Sequence, residues 1–227
     1  MKAALLIPLI ALALPLGATP QASVGVAAKK FTESVILSLA VEQLLELEDL
    51  EVENRGELGG TRILWNALLA GEIDVYPEYT GTILHEILAE ENLSSWPEAR
   101  AHLEALGLRV TESIGFENNY ALGVTRELHQ ELELQAISDL SGHPHLRFGL
   151  GGEFMDREDG WKGLRLHYAL PQTDVEGLDH DLAYRALQAG QIDLMDLYRT
   201  DAEIEAYDLV ALEDDRSYFP SYSALFV

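Results

Sequence analysis

Apolar positions alternate between strand-like runs and helix-like spacing along most of the chain. Between residues 32 and 47, for example, apolar residues pair at spacings of three or four positions, among them Val35, Ile36, Leu39, Ala40 and Leu44, which predicts a helix. The first half of the chain gives predicted strands at 24–28, 50–54, 73–75, 108–114 and 120–124, and helices at 32–47, 61–69, 80–89 and 96–106. This order predicts an α/β fold with a largely parallel sheet.

The same alternation starts again in the second half of the chain. Predicted helices lie at 137–140, 162–168, 179–189 and 201–206, and predicted strands at 146–150, 173–175, 192–197 and 208–212. Two α/β lobes fit this repeated pattern better than one.

A short internal repeat supports the two-lobe interpretation. Residues 70–75 read Ala-Gly-Glu-Ile-Asp-Val and residues 189–194 read Ala-Gly-Gln-Ile-Asp-Leu. Eight positions after the glycine of each segment comes a tyrosine, Tyr79 in the first and Tyr198 in the second. Side chains just past the carboxyl end of a strand face the ligand crevice of an open α/β sheet. We therefore expect both tyrosines to point into a cleft between the lobes.

The N-terminal segment has the pattern of a secretion signal. Lys2 precedes an uninterrupted apolar run at 3–16, and small residues follow it up to residue 23. The run is shorter than the roughly 20 apolar residues that span a bilayer. Residues 1–22 are therefore predicted to be a signal peptide, cleaved after Ala18 or Ala22, and the mature protein is expected to be periplasmic or otherwise extracytoplasmic.

Composition narrows the classes of partner. The 227 residues include 15 Lys and Arg against 39 Asp and Glu, a formal net charge of −24, so nucleic acid would be repelled. The chain has no cysteine, which excludes disulfides, thiolate chemistry and an acylated lipoprotein anchor. A soluble exported protein without a lipid anchor is expected, and we expect it to be a monomer.

Signatures of catalysis and of metal binding are missing from the sequence. There is no G-x-S-x-G elbow and no P-loop, and His85-Glu86 lacks the second histidine of a zinc-protease helix. The acids of residues 156–160 lack the alternating oxygen ligands of a calcium loop. No enzyme activity, no metal and no cofactor are therefore predicted.

Tyrosine is the residue type that points to a function. Several of the nine tyrosines lie at the ends of predicted strands beside polar loops. Converging rings with few nearby acids are suited to a quaternary ammonium, a cation that has no N–H to donate in a hydrogen bond. The pattern indicates an aromatic cage for such a cation.

Six segments give the chain a resemblance to a known family. They are residues 29–33 (Lys-Lys-Phe-Thr-Glu), 58–61 (Leu-Gly-Gly-Thr), 76–82 (Tyr-Pro-Glu-Tyr-Thr-Gly-Thr), 118–122 (Asn-Asn-Tyr-Ala-Leu), 153–160 (Glu-Phe-Met-Asp-Arg-Glu-Asp-Gly) and 207–215 (Tyr-Asp-Leu-Val-Ala-Leu-Glu-Asp-Asp). The chain resembles the osmoprotectant-binding proteins of ABC importers, which bind glycine betaine, carnitine or choline. The resemblance covers nearly all of the chain after the signal.

The resemblance implies a two-lobed clamshell of the type II periplasmic-binding-protein class, each lobe a mainly parallel sheet flanked by helices. It implies a first part of lobe 1 at 23–115, lobe 2 at 116–208 and a return to lobe 1 at 209–227. Relatives continue well beyond this last segment, so the first lobe is expected to be truncated. The lobes are expected to close on the ligand and to present it to the subunits of an ABC permease.

The resemblance also implies the roles of individual side chains. Tyr79, Tyr120, Tyr198 and Tyr222 would form the cage, Lys29 and Arg157 would contact a ligand carboxylate, and Thr82 would donate its hydroxyl. Asn118 falls where some members place an acid near the ammonium group.

Other functions remain open at the level of sequence. The same clamshell could bind an amino acid or a polyamine, and a polyamine would require acids in the cleft. A periplasmic hydrolase and a sensor module that does not transport are further alternatives. The sequence does not rank glycine betaine against choline or carnitine.

Overall fold

The protein is described here by a computed structural model that covers residues 23–227. The predicted signal peptide, 1–22, lies outside the described residues. The strands are β1 (Val24–Lys29), β2 (Val52–Gly59), β3 (Pro77–Tyr79), β4 (Tyr120–Thr125), β5 (Phe148–Gly151), β6 (Val175–Leu178), β7 (Leu194–Tyr198), β8 (Leu209–Ala211) and β9 (Ala224–Phe226).

The helices are short apart from the first. They are α1 (Thr32–Leu47), α2 (Thr61–Leu69), α3 (Thr80–Thr82), α4 (Trp96–Ala105), α5 (Arg126–Glu131), α6 (Gly152–Asp156), α7 (Gly163–Tyr168), α8 (His180–Gln188) and α9 (Glu203–Ala206). A π-helical turn, Ile83–Ile87, extends α3, and another, Glu158–Lys162, precedes α7. Within the described range, no helix is long and apolar enough to cross a membrane.

The second lobe is built on a five-stranded sheet in the order β6-β5-β7-β4-β8. Strands β6, β5 and β7 are parallel, whereas β4 pairs antiparallel with both β7 and β8. Strand β8 lies within the segment expected to return to lobe 1. The chain therefore leaves the second sheet only after Ala211, later than the boundary that the resemblance implied at residue 209.

The first lobe contains two smaller ladders. Strand β1 pairs parallel with β2, and β3 pairs antiparallel with β9. A single bridge between Val26 and Val75 connects the two ladders. Both lobes thus mix parallel and antiparallel pairs, whereas the resemblance implied a mainly parallel sheet in each lobe.

The chain crosses between the lobes at two neighbouring points. Glu117, on the way out of the first lobe, forms an isolated antiparallel bridge with Ser223, on the way back. Ser221 and Ser223 also direct their hydroxyls to the Glu117 carboxylate, at 2.6 and 3.3 Å. These paired crossings form the hinge of the clamshell.

The internal repeat has a structural counterpart. Gly71 and Gly190 both adopt positive φ, at 70° and 64°, a conformation that favours glycine after a helix. The aspartates three residues later each accept a backbone N–H from a neighbouring segment: Asp74 Oδ2 from Gly25 at 2.7 Å, and Asp193 Oδ2 from Arg147 at 2.8 Å. The repeat is therefore one structural unit used once in each lobe.

Helix α1 packs on the sheet with its small side chains. Ser34 and Ser38 are its buried residues, whereas Ile36, Leu44 and Leu47 are 59, 61 and 79% exposed. The helix itself is confirmed with the predicted bounds. Its apolar face does not pack into the core formed by the described residues. The side of the helix toward β1 carries Ser34 instead, whose hydroxyl accepts the Lys29 N–H at 2.9 Å.

The predicted order of elements is largely confirmed, with shifts at strand ends. The stretch expected to be extended at 108–114 is not a strand, although Thr111 and Ile114 each donate a backbone N–H to the β9 segment. The strand expected at 73–75 contributes only the Val75 bridge, and the strand forms at Pro77–Tyr79 instead. The sequence pattern missed α5, α6 and β9. All three are six residues or shorter, which is too short for a periodic pattern to register.

Candidate functional site

A small cavity lies between the two lobes and brings together every side chain that the resemblance had singled out. About 20 Å³ of space is enclosed, room for roughly one water molecule. A solute of the size of a betaine would have to push the rings apart. The lining residues are Lys29, Phe31, Tyr79, Thr82, Asn118, Tyr120, Glu153, Arg157, Tyr198 and Tyr222.

Strand ends position the four tyrosines, Tyr79, Tyr120, Tyr198 and Tyr222, which we call the tyrosine cage. Tyr79 ends β3 and Tyr198 ends β7, while Tyr120 begins β4 and is the direct partner of Tyr198 in the antiparallel ladder. Tyr222 precedes β9 and packs over Gly81, where an added Cβ would lie 2.6 Å from the ring. The glycine of the Tyr-Thr-Gly-Thr segment is therefore required for this approach.

The rings of the cage contact one another. Tyr120 lies 5.1 Å from Tyr198 and 5.5 Å, edge-on, from Tyr222, measured between ring centroids. Phe31 adds a fifth ring, 4.9 Å from Tyr198 and 6.2 Å from Tyr79. These spacings are the ordinary range for aromatic pairs. Rings from both lobes thus meet at one point, which only the closed arrangement of the lobes allows.

The phenols of the cage remain neutral. Burial raises the pKa values of Tyr79, Tyr120 and Tyr198 well above the ordinary tyrosine value, because a phenolate would lose its hydration. Neutral rings keep the negative π-face that attracts a cation.

Lys29 is already paired within the protein. Its Nζ lies 2.5 Å from Oε1 of Glu78, and both side chains are buried, at 5 and 0% exposure. Burial raises the pKa of Glu78, and the neighbouring ammonium of Lys29 opposes that rise. The same Nζ lies 5.6 Å from the centre of the Tyr79 ring. Lys29 can reach a ligand carboxylate only by sharing its charge with Glu78.

Arg157 is held in a similar way. Its guanidinium forms two hydrogen bonds with Asp159, at 2.7 and 2.5 Å, and a longer one of 3.4 Å with the hydroxyl of Thr82. It also lies 5.7 Å from the centre of the Tyr120 ring. The bond to Thr82 joins the second lobe to the first.

A third carboxylate stands at the edge of the cage. Glu33 Oε1 accepts hydrogen bonds from the hydroxyl of Tyr79 at 2.5 Å and from Nδ2 of Asn118 at 2.9 Å. Asn118 also lines the cavity, and its Oδ1 is buried without a hydrogen-bond partner among the described residues. Such an acceptor favours a ligand that carries a hydroxyl or N–H donor.

The expectation that few acids lie near the cage is wrong. Glu33, Glu78 and Asp159 bond directly to cage residues or to their cations, and Glu153 lines the cavity itself. Two cations, Lys29 and Arg157, stand among these four acids, so carboxyl groups outnumber cations around the cage. All four acids lie within four positions of a selected residue, inside the segments 29–33, 76–82 and 153–160, so their nearness to the cage was detectable in the sequence.

Glu153 connects the lobes. Its Oε1 accepts the backbone N–H of Thr61 at 2.9 Å, at the N-terminus of α2 in the first lobe. Burial alone would raise the pKa of Glu153, but Lys29, the Thr61 N–H and Arg157 together hold it below its ordinary value. The carboxylate therefore acts as a charged contact between the lobes at neutral pH.

Asp201 anchors the Tyr198 ring from behind. Its Oδ2 accepts the backbone N–H of Tyr198 at 2.9 Å and the hydroxyl of Tyr184 at 2.6 Å, and lies 3.0 Å from Nε2 of His180. The His180 ring packs 4.7 Å from the Tyr198 ring. Burial lowers the pKa of His180, but the bond to Asp201 and nearby carboxylates give a net rise.

No cluster of three or more histidine or acidic side chains within residues 23–227 could hold a metal ion. The chemistry of the site is thus that of aromatic faces, paired charges and a few free polar atoms.

Comparison with known proteins assigns the fold to a family. The sequence profile of OpuAC, described as the substrate binding domain of ABC-type glycine betaine transport systems, matches residues 22–227. The chain belongs to this family. Because the family consists of binding domains of transporters, it is not an enzyme family. The resemblance inferred from the six segments is confirmed.

Two curated relatives illustrate the range of the family. The ergothioneine transport permease/ergothioneine binding protein EgtU of Helicobacter pylori (strain G27) is 32% identical over 221 residues, which cover 93% of this chain and 39% of the relative. The carnitine transport binding protein OpuCC of Listeria monocytogenes is 31% identical over 218 residues, covering 92% of this chain and 71% of the relative. The chain thus spans well under half of the first relative.

A solved structure supports the clamshell fold. The crystal structure of a glycine betaine/carnitine/choline ABC transporter protein matches with a TM-score of 0.67 and 31% identity, covering 90% of this chain and 79% of the other. The predicted fold class, a two-lobed α/β clamshell of the type II class, is confirmed.

Sequence reasoning missed two residues that line the cavity. Phe31 and Glu153 both fall inside segments that carried the family resemblance, 29–33 and 153–160, but only Lys29 and Arg157 were selected there. Phe31 follows Lys29 by two positions at the end of β1, so its place beside the cleft was a detectable signal. The binding roles of the eight selected residues stay predictions.

Proposed function

We propose that this protein captures a quaternary ammonium osmoprotectant in the tyrosine cage and presents it, with the lobes closed, to the subunits of an ABC permease. One observation carries the proposal: aromatic rings from both lobes converge on a single cavity at the cleft. A ligand that contacts rings of both lobes favours the closed form, because those contacts exist together only there.

The binding free energy that aromatic faces can contribute is large enough to matter for micromolar affinity. Each aromatic face contributes about 0.5 to 2 kcal/mol toward a desolvated cation, although not additively. Five rings, counting Phe31, therefore supply a substantial part of the roughly 8 kcal/mol that corresponds to micromolar affinity. The carboxylates around the cage add a long-range attraction for a cation.

The location and partners follow from the same proposal. Substrate-binding domains of ABC importers work outside the cytoplasm, which agrees with the export signal expected at residues 1–22. We propose that the protein acts as a monomer and that the permease recognises the closed clamshell.

The test is a calorimetric titration of the protein with glycine betaine, carnitine, choline and ergothioneine. Tyr198→Ala removes one ring of the cage, and Tyr207→Ala serves as the matched control because Tyr207 is a partly exposed tyrosine outside the cavity. We expect saturable binding of at least one of these solutes, lost or weakened about tenfold or more in Tyr198→Ala and unchanged in Tyr207→Ala. A folded protein that binds none of the four would refute the proposal.

A further inference from the structure

A second cavity adjoins the tyrosine cage in the cleft between the lobes. It encloses about 260 Å³, and Phe31, Glu153 and Tyr198 line both it and the cage. Backbone from two glycine pairs, Gly59-Gly60 in the first lobe and Gly151-Gly152 in the second, forms part of its wall. The two spaces thus share three lining side chains. We call this space the Asp196 cavity.

Asp196 is the residue that gives this cavity its chemistry. It is 1% exposed and lies on β7 two positions before Tyr198, so both side chains project from the same face of the strand. Its Oδ1 accepts the N–H of Gly151 at 2.6 Å, but no donor among the described residues bonds to Oδ2. Because Asp196 lines the cavity, a cation that carries N–H groups can donate a charge-assisted hydrogen bond to this oxygen.

The charges around the cavity favour a cation over an anion. Glu153, Asp179 and Asp196 line it, against exposed Lys30 and the ring of His180. Even with His180 protonated, its charge is balanced by Asp201 at 3.0 Å. A ligand group that is negatively charged would therefore be repelled here, whereas a primary ammonium would be attracted.

We propose that the Asp196 cavity is a second subsite, which binds a primary ammonium or similar N–H-bearing cation attached to a quaternary ammonium held in the cage. The inference rests on the proposed function, because the cage must hold the quaternary end. Two residues along a strand span about 6–7 Å. An extended chain of about four carbons bridges that distance, with bonds of about 1.5 Å.

The structure therefore assigns a ligand class beyond the betaines: short dications with one quaternary and one primary ammonium. The buried carboxylate distinguishes them from solutes that end in a methyl group or in a carboxylate.

The experiment compares two ligands that differ in one group. (4-Aminobutyl)trimethylammonium carries the second cation, and pentyltrimethylammonium replaces that ammonium with a methyl group. Calorimetry of the wild-type protein is expected to give at least about tenfold tighter binding of the amino ligand, the strength of one hydrogen bond to a charged partner. In Asp196→Asn, which keeps an oxygen to accept the Gly151 N–H, this advantage is expected to disappear while pentyltrimethylammonium binds as before.

The outcomes separate the two claims. If both ligands bind the wild type equally, the second subsite is refuted and the cage stands. If neither ligand nor choline binds a folded protein, the cage and the subsite are both refuted. The comparison of the two ligands on the wild-type protein tests the second subsite even if Asp196→Asn does not fold. Glu176→Gln, at an exposed position on β6, controls for the loss of one acid from the second lobe.

Discussion

The hydrogen bond from Thr61 to Glu153 is expected to contribute directly to ligand affinity, because it joins the lobes across the cleft. Thr61→Pro removes this N–H and little else. Thr61 is the first residue of α2, a position where proline is favoured. Gly60 before it has φ −87° and ψ −176°, an extended conformation that a residue preceding proline adopts.

The expected magnitude follows from the charge of the acceptor. Hydrogen bonds to charged groups contribute about 1.5–3 kcal/mol. Because the bond joins the two lobes, it can exist only while they are closed, so its loss is expected to fall on the closed form alone. At about 1.4 kcal/mol for each tenfold change, the Kd for ligand is expected to rise about 10- to 100-fold.

The matched control is Thr61→Val, which keeps the N–H and the shape of the side chain. The hydroxyl it removes is buried without a partner among the described residues, so its loss is expected to be neutral. Both variants are measured by calorimetry with the tightest-binding solute, and their folding is checked by thermal unfolding. Equal affinity of the two folded variants would refute the idea that this bond holds the lobes closed.

Three further predictions follow from the site and the core. Because the buried oxygen of Asn118 lacks a donor, choline is expected to bind about 2- to 10-fold tighter than ethyltrimethylammonium, which lacks the hydroxyl, in parallel calorimetric titrations; equal Kd values would contradict this role. Gly81→Ala is expected to lower the free energy of unfolding by about 1–3 kcal/mol in urea denaturation and to weaken binding. Gly142→Ala, with open space around it, serves as the control. Unchanged stability of Gly81→Ala would show that the Tyr222 ring has room to move. Burial would raise the pKa of Asp193, but its bonds to Arg147 hold that pKa below the ordinary value. The ionised carboxylate therefore stabilises the fold above about pH 4, and this contribution is lost as the pH falls through the lowered pKa. The stability difference between wild type and Asp193→Asn is therefore expected to shrink in acid, and a constant difference between pH 7 and pH 2 would argue against it.

Local features of the sequence were sufficient to predict most elements and to place two of the cage tyrosines at one cleft, whereas Tyr120 and Tyr222 came from the family resemblance. The apolar spacing of residues 32–47 predicted α1 with its observed bounds. The repeated Gly-x-Ile-Asp unit predicted that Tyr79 and Tyr198 face one cleft, and both line the same cavity. In each case the signal was contained within a short stretch of chain.

Features that depend on distant contacts could not be predicted in the same way. Lys29 pairs with Glu78, 49 positions away, and nothing in the spacing of 39 acids distinguishes that partner from the others. The apolar face of α1 was recognisable as a face, but the burial of Ser34 and Ser38 instead depends on how closely the helix approaches the sheet. Charge pairing and helix rotation are properties of the assembled fold.

The central claim is that the cage recognises positive charge through its aromatic faces. Its most direct test is a calorimetric comparison of choline with 3,3-dimethylbutan-1-ol, which has the same shape but a carbon in place of the charged nitrogen. The contributions of four or more rings do not simply add, but together they are expected to exceed the roughly 1.4 kcal/mol of a tenfold change, so choline is expected to bind at least about tenfold tighter. Equal affinity for the two compounds would mean that the cavity selects shape and apolar surface, and it would contradict the cage.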